Sequence, residues 1–241
     1  MTDVELARLL AEQAGKVALA IRATGMIEGK ALGKAGDRAV NAFLVPAIAQ
    51  HRSDDAFLSE ESEDDHARLS HSRVWIVDPV DGTREFSEGR GDWAVHVGLA
   101  IDGVAHTGAV ALPGLGLVLA SDGTARADDH APTGRIVVSR SRPPAEAERV
   151  AEALGMELVG MGSAGAKAMA VVRGEADAYL HSRGQYEWDN CAPVAVAQAY
   201  GLHCSRIDGA PLRYNQADSS LPDLLICREE LARPILDTIV G

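Results

Sequence analysis

The feature that most constrains this chain is an apolar strand followed at once by two aspartates. Residues 73–77 (RVWIV) are rich in β-branched side chains and lack a helical period, which predicts a short buried strand. Because Pro79 cannot extend a central strand, we expect a turn carrying Asp78 and Asp81 and ending in Gly82 and Thr83, whose amides are free to bind an anion. Two carboxylates here repel each other and are costly to bury unless a cation compensates, and such oxygen ligands suit Mg²⁺ or Mn²⁺. The alternative is a plain Asp-Pro turn with solvated acids.

Length and charge limit the class of protein. A chain of 241 residues can bury a large core, as one big domain or as two lobes that share a cleft. A net charge of −12 argues against binding a nucleic acid polymer, whose phosphates require lysine and arginine. A small phosphorylated substrate stays compatible with this charge, because bound divalent ions would reverse the local field.

The cysteines and the start of the chain indicate a compartment. Cys191, Cys204 and Cys227 are odd in number and have neither zinc nor disulfide spacing, so we expect reduced core residues in a reducing compartment. The first residues lack the basic and apolar regions of a signal peptide, and no apolar run approaches transmembrane length. We therefore expect a cytoplasmic protein without membrane association.

The first half predicts two helices and then mainly strands. Thr2 and Glu5 form a capping box that opens the first helix. Residues 26–36 contain three glycines and predict a loop, after which Asp37 opens a second helix as its N-cap, with Pro46 kinking or interrupting it. Strands are expected at 56–60, 93–101, 104–112 and 116–120, the last three as an antiparallel meander.

The second half alternates strands and helices. A polar segment from Thr124 to Gly134 predicts a lobe boundary, so we divide the chain into an α+β lobe of residues 1–128 and an α/β lobe of residues 129–241. In the second lobe we expect strands at 135–139, 157–160, 176–181 and 223–227, and helices at 145–154, 165–173, 189–200 and the end of the chain.

Further acids stand at the ends of predicted elements. Glu60 and Glu61 follow a strand, as Asp78 does, and one of them could reach the same metal, although a solvated acidic turn explains them equally well. Asp189 precedes an apolar helix and would be a sufficient N-cap without any further role.

Together these blocks match a known pattern. The segments LSEES (58–62), WIVDPVDGT (75–83) and EWDNCAP (187–193) resemble the inositol monophosphatase-like superfamily of Mg²⁺-dependent, lithium-sensitive phosphatases, in the family's order. The resemblance implies a two-lobed α+β / α/β chain layered as an α/β/α/β/α sandwich. It also leaves homodimerisation open.

Other segments resemble the CysQ type within that superfamily. They are Arg84-Glu85-Phe86, GDRAVNAFL (36–44), VVSRSRPP (137–144), GSAGAKAMAV (162–171) and PLRYNQ (211–216). This resemblance implies a phosphoric monoester hydrolase that converts 3′-phosphoadenosine 5′-phosphate to AMP and phosphate in sulfur assimilation and nucleotide recycling. Activity on inositol phosphate or fructose 1,6-bisphosphate, on the same metal core, is the alternative.

The resemblance also implies roles for single residues. Glu60, Asp78 and the Val80 carbonyl would hold one Mg²⁺, and Asp78, Asp81 and Asp189 a second, with a weaker third near Glu60; Mn²⁺ could replace Mg²⁺, and Li⁺ and Ca²⁺ would inhibit. Asp37 with the Thr83 hydroxyl would orient and deprotonate the attacking water. The residues expected to bind substrate are Asp81, Gly82, Thr83, Arg84, Arg142, Ser163 and Lys167.

Two departures from the family pattern concern Asp37 and the first glutamate. The Thr/Ser-rich stretch usual before the catalytic aspartate is here Leu32-Gly33-Lys34-Ala35-Gly36, and the glycine usual before the two glutamates is Ser59.

A glycine pattern offers a function of another class. Gly160, Gly162 and Gly165 formally satisfy the dinucleotide fingerprint, which would fit a nucleotide-binding dehydrogenase module. We interpret the segment instead as the wall of the second lobe that faces substrate, where Ser163 and the first turn of a helix could contact a ribose or a phosphate. Arg142 and Lys167 suit the distal phosphate of a bisphosphate.

Overall fold

A computed structural model of the chain describes residues 1–123 and 130–241. The helices in these residues are α1 (Asp3–Ala23), α2 (Gly29–His51), α3 (Thr83–Ser87), α4 (Ala145–Leu154), α5 (Ala164–Val172), α6 (Glu187–Ala199) and α7 (Glu229–Val240). The strands are β1 (Ala56–Ser59), β2 (Arg73–Asp81), β3 (Ala94–Ile101), β4 (Val104–Leu112), β5 (Leu117–Ala120), β6 (Arg135–Ser139), β7 (Glu157–Met161), β8 (Ala178–His181), β9 (Gln185–Tyr186), β10 (His203–Ser205), β11 (Ser220–Leu221) and β12 (Leu224–Cys227).

Two five-stranded sheets and three helical layers alternate. The first sheet has the order β1-β2-β3-β4-β5, and the second has the order β10-β12-β8-β6-β7. Helices α1 and α2 cover the outer face of the first sheet, α5 and α6 fill the space between the sheets, and α4 and α7 cover the outer face of the second. Each of the three helical layers packs in its own apolar cluster, and the cluster around α5 and α6 contacts both sheets. The expected α/β/α/β/α sandwich is confirmed.

Much of the first half folds as its pattern predicts. The capping box of Thr2 and Glu5 opens α1, with the Glu5 amide donating to the Thr2 hydroxyl and the Thr2 amide to the Glu5 carboxylate. Strands β3, β4 and β5 form the expected antiparallel meander. In contrast to them, β1 pairs with β2 in parallel, so the carboxyl ends of both strands lie at the same edge.

The loop or irregular hairpin expected at residues 26–36 is confined to a loop at residues 26–28, and the prediction is wrong for residues 29–36. Helix α2 begins at Gly29, continues through Pro46 without interruption, and places Asp37 in its interior rather than at its N-cap. A Cβ atom on Gly33 would lie 2.6 Å from Thr83 Cγ2, and one on Gly36 would lie 2.8 Å from the Phe86 ring. The glycines therefore serve close packing of α2 on α3, which outweighs their poor helix propensity.

Two boundaries near the acids also differ from expectation. Strand β2 does not stop before Pro79 but continues to Asp81, and its register with β3 shifts between Asp78 and Asp81. An irregularity of this kind tolerates a proline and re-aims the neighbouring side chains. Helix α6 begins at Glu187, so Asp189 lies in the first turn and is not the N-cap.

Residues 130–241 follow the expected order with three additions. Strands β9, β10 and β11 were not predicted, because segments of two or three residues are too short to show a period. Strand β10 pairs antiparallel with β12 at the edge of the second sheet, and β9 pairs with β11. The expected division between residues 128 and 129 lies outside the described residues. Among the helices that the structure describes, none combines the length and apolar character needed to cross a bilayer.

Candidate active site

Three aspartates from distant parts of the sequence converge. Asp78 and Asp81 lie at the end of β2, and Asp189 lies in the first turn of α6; one carboxylate oxygen of each falls within 4.8 Å of the others. Helix α6 can approach the sheet this closely because glycines face it: a Cβ atom on Gly98 or Gly108 would lie 2.9 or 2.4 Å from backbone atoms of α6. The packing of α6 therefore creates the cluster.

Asp81 is held by the N-terminus of α5. Its carboxylate accepts the backbone amides of Ala164 at 3.0 Å and Gly165 at 2.6 Å, and it also accepts the hydroxyl of Ser163. These amides are unpaired within the helix, and the helix dipole favours an anion at this end. The end of β2 thus supplies the carboxylate and the start of α5 binds it, which fixes the strand and the helix relative to each other at the site.

His96 lies buried beside Asp81. Its Nε2 lies 3.1 Å from Asp81 Oδ2, and its Nδ1 lies 2.9 Å from the carbonyl oxygen of Trp188, so Nδ1 carries a proton. Burial opposes protonation of the ring, but the Asp81 carboxylate more than compensates and raises the pKa of His96. In turn, burial disfavours ionisation of Asp81, yet His96 and the Ser163 hydroxyl hold its pKa below the usual range.

The pKa values of Asp78 and Asp189 are raised, in contrast to that of Asp81. Complete burial raises the pKa of Asp78 well above its ordinary value, and the charges of Glu60, Asp81 and Asp189 raise it further. Burial and the charge of Asp81 raise the pKa of Asp189 to about 7. One buried oxygen of Asp78 has no hydrogen-bond partner among the described residues. Uncompensated negative charge, an unpaired oxygen and an all-oxygen donor set fit a hard divalent cation, which would offset the repulsion.

Glu60 stands at the end of β1 beside this cluster. Partial burial of its carboxyl group raises its pKa, and a hydrogen bond with Asp78 offsets part of that effect. The residue as a whole remains solvent-exposed. Because β1 and β2 are parallel and adjacent, the strand ends bring Glu60 and Asp78 together, as the sequence predicts for one edge of the sheet.

Asp37 approaches the site from α2. It is only 6% exposed, and burial together with the charges of Glu61 and Glu60 raises its pKa to about 7. Its carboxyl group lies within hydrogen-bonding reach of Thr83, whose hydroxyl donates to the Val80 carbonyl at 3.1 Å. The residues predicted to activate water thus lie side by side, next to the predicted metal ligands.

The cluster opens into a cavity of about 330 Å³, which is lined by residues from the end of β2, from β8, from α5 and from the start of α6. Asp81, Gly82, Ser163, Arg142 and Lys167, all predicted to bind substrate, line it. Gly82 has a φ of 84°, and a Cβ there would lie 3.1 Å from Ser163, so the turn between β2 and α3 requires glycine.

Lys167 and Arg142 present their charges differently in this cavity. Lys167 is buried, and its ammonium group donates to the carbonyl oxygens of Gly162 and Ser163 and lies 5.1 Å from the Tyr179 ring centroid. Burial lowers the pKa of Lys167 to about 8. Arg142, by contrast, is exposed at the cavity wall.

Arg84 lies apart from these residues. Its side chain is exposed on α3 and forms an ion pair with Glu88 at 2.8 Å, outside the residues that line the cavity. Arg84, like the adjacent Thr83, is therefore not among the residues that line the cavity.

The sequence analysis missed His96 and a buried network behind the site. Glu187 accepts the amides of Asn215 and Gln216 at 2.7 and 2.8 Å, and Arg68 donates to the Asn215 side chain at 2.8 Å and to Asp64. The network joins the loop after Glu60 to the start of α6. Its one sequence signal is PLRYNQ, which carries no recognisable chemistry until it folds onto Glu187.

Comparison with known proteins identifies the family. The model of the inositol monophosphatase family matches residues 3–233. The chain belongs to the inositol monophosphatase family. A 3′-phosphoadenosine 5′-phosphate phosphatase of Mycobacterium leprae is 49% identical, over 99% of this chain and 94% of that protein.

Solved structures of the family agree in fold. Inositol monophosphatase II of Staphylococcus aureus superposes with a TM-score of 0.82 at 19% identity, covering 98% of this chain and 95% of that one. CysQ of Bacteroides thetaiotaomicron, a bacterial member of the inositol monophosphatase family, gives 0.77 at 25% identity, covering 94% and 97%. The expected resemblance to the family and to CysQ is confirmed.

The dinucleotide-binding alternative is wrong for this family member. The amides that would bind a pyrophosphate at the start of α5 bind Asp81 instead. Ser163 and Ala164 nevertheless line the cavity, so the expected contact of Ser163 and this first helical turn with substrate stays a prediction. Gly162 and Gly165 are needed for packing, since a Cβ on them would lie 2.4 Å from Glu85 and 2.0 Å from His96.

Proposed function

We propose that the protein is a metal-dependent phosphomonoesterase that hydrolyses the 3′-phosphate of 3′-phosphoadenosine 5′-phosphate to give AMP and phosphate. The observation that carries this proposal is the meeting of Asp78, Asp81 and Asp189 beside Glu60 and Asp37, in a chain 49% identical to a phosphatase named for that substrate.

The proposed cofactor is Mg²⁺, with Mn²⁺ as a substitute and Li⁺ and Ca²⁺ as inhibitors. Asp78, Asp81 and Asp189 would hold one ion, and Glu60, Asp78 and the Val80 carbonyl a second, with a weaker third near Glu60. When bound, these ions supply Lewis acidity and neutralise charge on the transferring phosphoryl group.

The chain's own residues bind and orient the reactants. Asp37 takes the proton of the attacking water, and Thr83, within its reach, orients that water. Gly82 and Thr83 offer amides to the scissile phosphate at the start of α3, where the helix dipole favours an anion. Arg142 balances the distal 5′-phosphate from the cavity wall.

The proposal includes the setting of the enzyme. The three cysteines are free, which suits a reducing cytoplasm and a role in sulfur assimilation and nucleotide recycling. The partner is a small phosphorylated nucleotide, not a nucleic acid polymer or a membrane, and a homodimer is compatible with the resemblance.

A phosphate-release panel tests the proposal. Purified protein with Mg²⁺ is given 3′-phosphoadenosine 5′-phosphate, inositol 1-phosphate and fructose 1,6-bisphosphate, with EDTA as the control. We expect the highest kcat/KM on the adenosine bisphosphate, 5′-AMP as its product by chromatography, and loss of turnover in EDTA. A higher kcat/KM on either sugar phosphate, or adenosine 3′-phosphate as product, would contradict the proposed substrate or bond.

A further inference from the structure

The cavity beside the acids contains an exposed aromatic ring that the proposed reaction has not used. Tyr186 lines the cavity together with Asp81 and Asp189, and the residue is 49% exposed. Arg142 and His181 line the same space. One cavity therefore joins the reaction centre, cationic or polar side chains, and a flat apolar surface.

The Tyr186 ring is fixed in place. It stacks on Trp188 with the ring centroids 4.7 Å apart and the planes 10° from parallel. Its backbone is anchored as well, because its amide donates to Asp189 at 2.6 Å and it pairs with Ser220 between β9 and β11. A ring held on one face by Trp188 and still half exposed is preorganised to receive a second planar group, since little freedom is lost on binding.

The chemistry of such a ring favours a nucleobase. Aromatic side chains bind bases by stacking on their π-face, whatever the base's hydrogen-bonding pattern. An inositol or fructose phosphate has no such face. The ring lines the same cavity as Asp81 and Asp189, and the Tyr186 amide donates to Asp189, so a nucleotide with its base on this ring would have its sugar and phosphate on the side of the acids.

We propose that Tyr186, supported by Trp188, is the stacking surface for the base of the substrate and thereby sets specificity for a nucleotide over a sugar phosphate. This inference rests on the proposed function. It assigns to Tyr186 no part in the chemistry of phosphate release, so its loss should affect KM for nucleotides and leave kcat largely unchanged.

Substitutions of Tyr186 in the full chain separate stacking from structure. Tyr186→Leu keeps an apolar side chain and removes the ring, and Tyr186→Phe keeps the ring. We expect Leu to raise KM for 3′-phosphoadenosine 5′-phosphate about ten- to hundredfold, with kcat within about twofold, and Phe to stay close to wild type. Phe57→Leu, which removes another exposed ring outside the cavity, should change neither constant. All variants should hydrolyse the base-free ester glycerol 2-phosphate equally.

A binding measurement provides a second readout without turnover. Trp75 and Trp93 are fully buried in the outer core of the first lobe, so Trp188 is the tryptophan placed to report on the cavity. AMP should quench this fluorescence saturably in wild type and Tyr186→Phe, and only at much higher concentration in Tyr186→Leu. Ribose 5-phosphate should not quench it.

Several outcomes would overturn the inference. One is an unchanged KM and an unchanged AMP affinity in Tyr186→Leu. Another is an equal loss of kcat/KM on glycerol 2-phosphate and on the bisphosphate in this variant, which would mean that Tyr186 only supports α6. Failure of the proposed function is distinguishable: the wild type would then not hydrolyse 3′-phosphoadenosine 5′-phosphate, while quenching by AMP that depends on the Tyr186 ring would still support a base-stacking surface.

Discussion

His96 and Asp81 lie together between the two sheets, with Nε2 3.1 Å from Oδ2. The other ring nitrogen lies 2.9 Å from the carbonyl oxygen of Trp188, immediately before Asp189. One buried imidazole thus touches one predicted metal ligand and the backbone beside another. Such outer contacts orient ligands and hold their charge state.

The two contacts of His96 can be removed separately. In His96→Asn the amide nitrogen replaces Nδ1 and keeps the Trp188 contact, whereas in His96→Gln it can replace Nε2 and keep the Asp81 contact. We expect His96→Asn to weaken Mg²⁺ binding about ten- to hundredfold and His96→Gln to weaken it less. Calorimetric Mg²⁺ titration checks this, and equal affinities for both variants would argue against orientation of Asp81 by His96.

Asp78 should be essential for activity but destabilising in the metal-free protein. Asp78→Asn removes one charge from a buried cluster, so we expect nearly complete loss of turnover, a higher Tm in EDTA, and a much smaller rise in Tm on adding Mg²⁺. Thermal denaturation with and without Mg²⁺ measures this. Asp54→Asn, at an exposed turn, is the matched control. Near-wild-type turnover of Asp78→Asn would exclude the metal site as described.

The metal-free protein should lose stability as the pH rises. Folding raises the pKa of Asp37 and Asp189 from 3.8 to about 7, so the folded state binds protons more tightly than the unfolded chain. Their contribution is fully present below about pH 4 and is lost as the pH passes through 7. In EDTA we expect Tm to fall from pH 5 to pH 8, and Mg²⁺ to stabilise more at pH 8. The double variant Asp37→Asn, Asp189→Asn should show a flatter profile, and an unchanged slope would contradict this origin.

Asp37 should act on turnover rather than on metal binding. It lies inside α2, where alanine is favourable, so Asp37→Ala should fold normally and lower kcat by roughly 10²–10⁴-fold with little change in Mg²⁺ affinity. Steady-state kinetics at several Mg²⁺ concentrations provides the measurement, with Arg38→Ala, an exposed neighbour on the same helix, as the control. If metal affinity falls in parallel with kcat, Asp37 is part of the metal site instead.

Arg142 should discriminate between substrates. Arg142→Ala is expected to raise KM for the adenosine bisphosphate about tenfold or more, because a charge-assisted contact contributes roughly 1.5–3 kcal/mol. Hydrolysis of inositol 1-phosphate should be unaffected, as should both reactions in the exposed control Arg233→Ala. Lys167→Ala should in addition lower Tm, because Lys167 is buried against Gly162, Ser163 and Tyr179. Equal losses of Arg142→Ala on both substrates would assign it to the structure of the site.

Much of the site could be predicted from local sequence. The strand before Asp78 and the capping box of Thr2 and Glu5 depend on side-chain period and on contacts three residues apart, which the sequence displays directly. The segments around Glu60, Asp78 and Asp189 resemble the family's pattern closely enough to predict the family and the layered fold. Parallel pairing of β1 with β2 then brings the first two acids together by simple geometry.

The errors arose where distant packing overrides local preference. Gly33 and Gly36 predict a loop on propensity alone, but they form a flat helix face against Thr83 and Phe86 and so carry Asp37 into the interior of α2. Conformational preference is a property of the residue, whereas a close approach depends on its partner fifty residues away. The partner residues are present in the sequence, but the sequence does not show that they contact these glycines.

The charge states of the acids depend entirely on the folded chain. In the sequence Asp78 and Asp81 are two equivalent carboxylates; in the structure α5 and His96 stabilise the charge of Asp81, while burial without donors disfavours that of Asp78. The groups that donate to Asp81 and not to Asp78 come from other elements of the fold, α5 and β3. Electrostatic energy depends on distance and burial, and tertiary packing alone sets both.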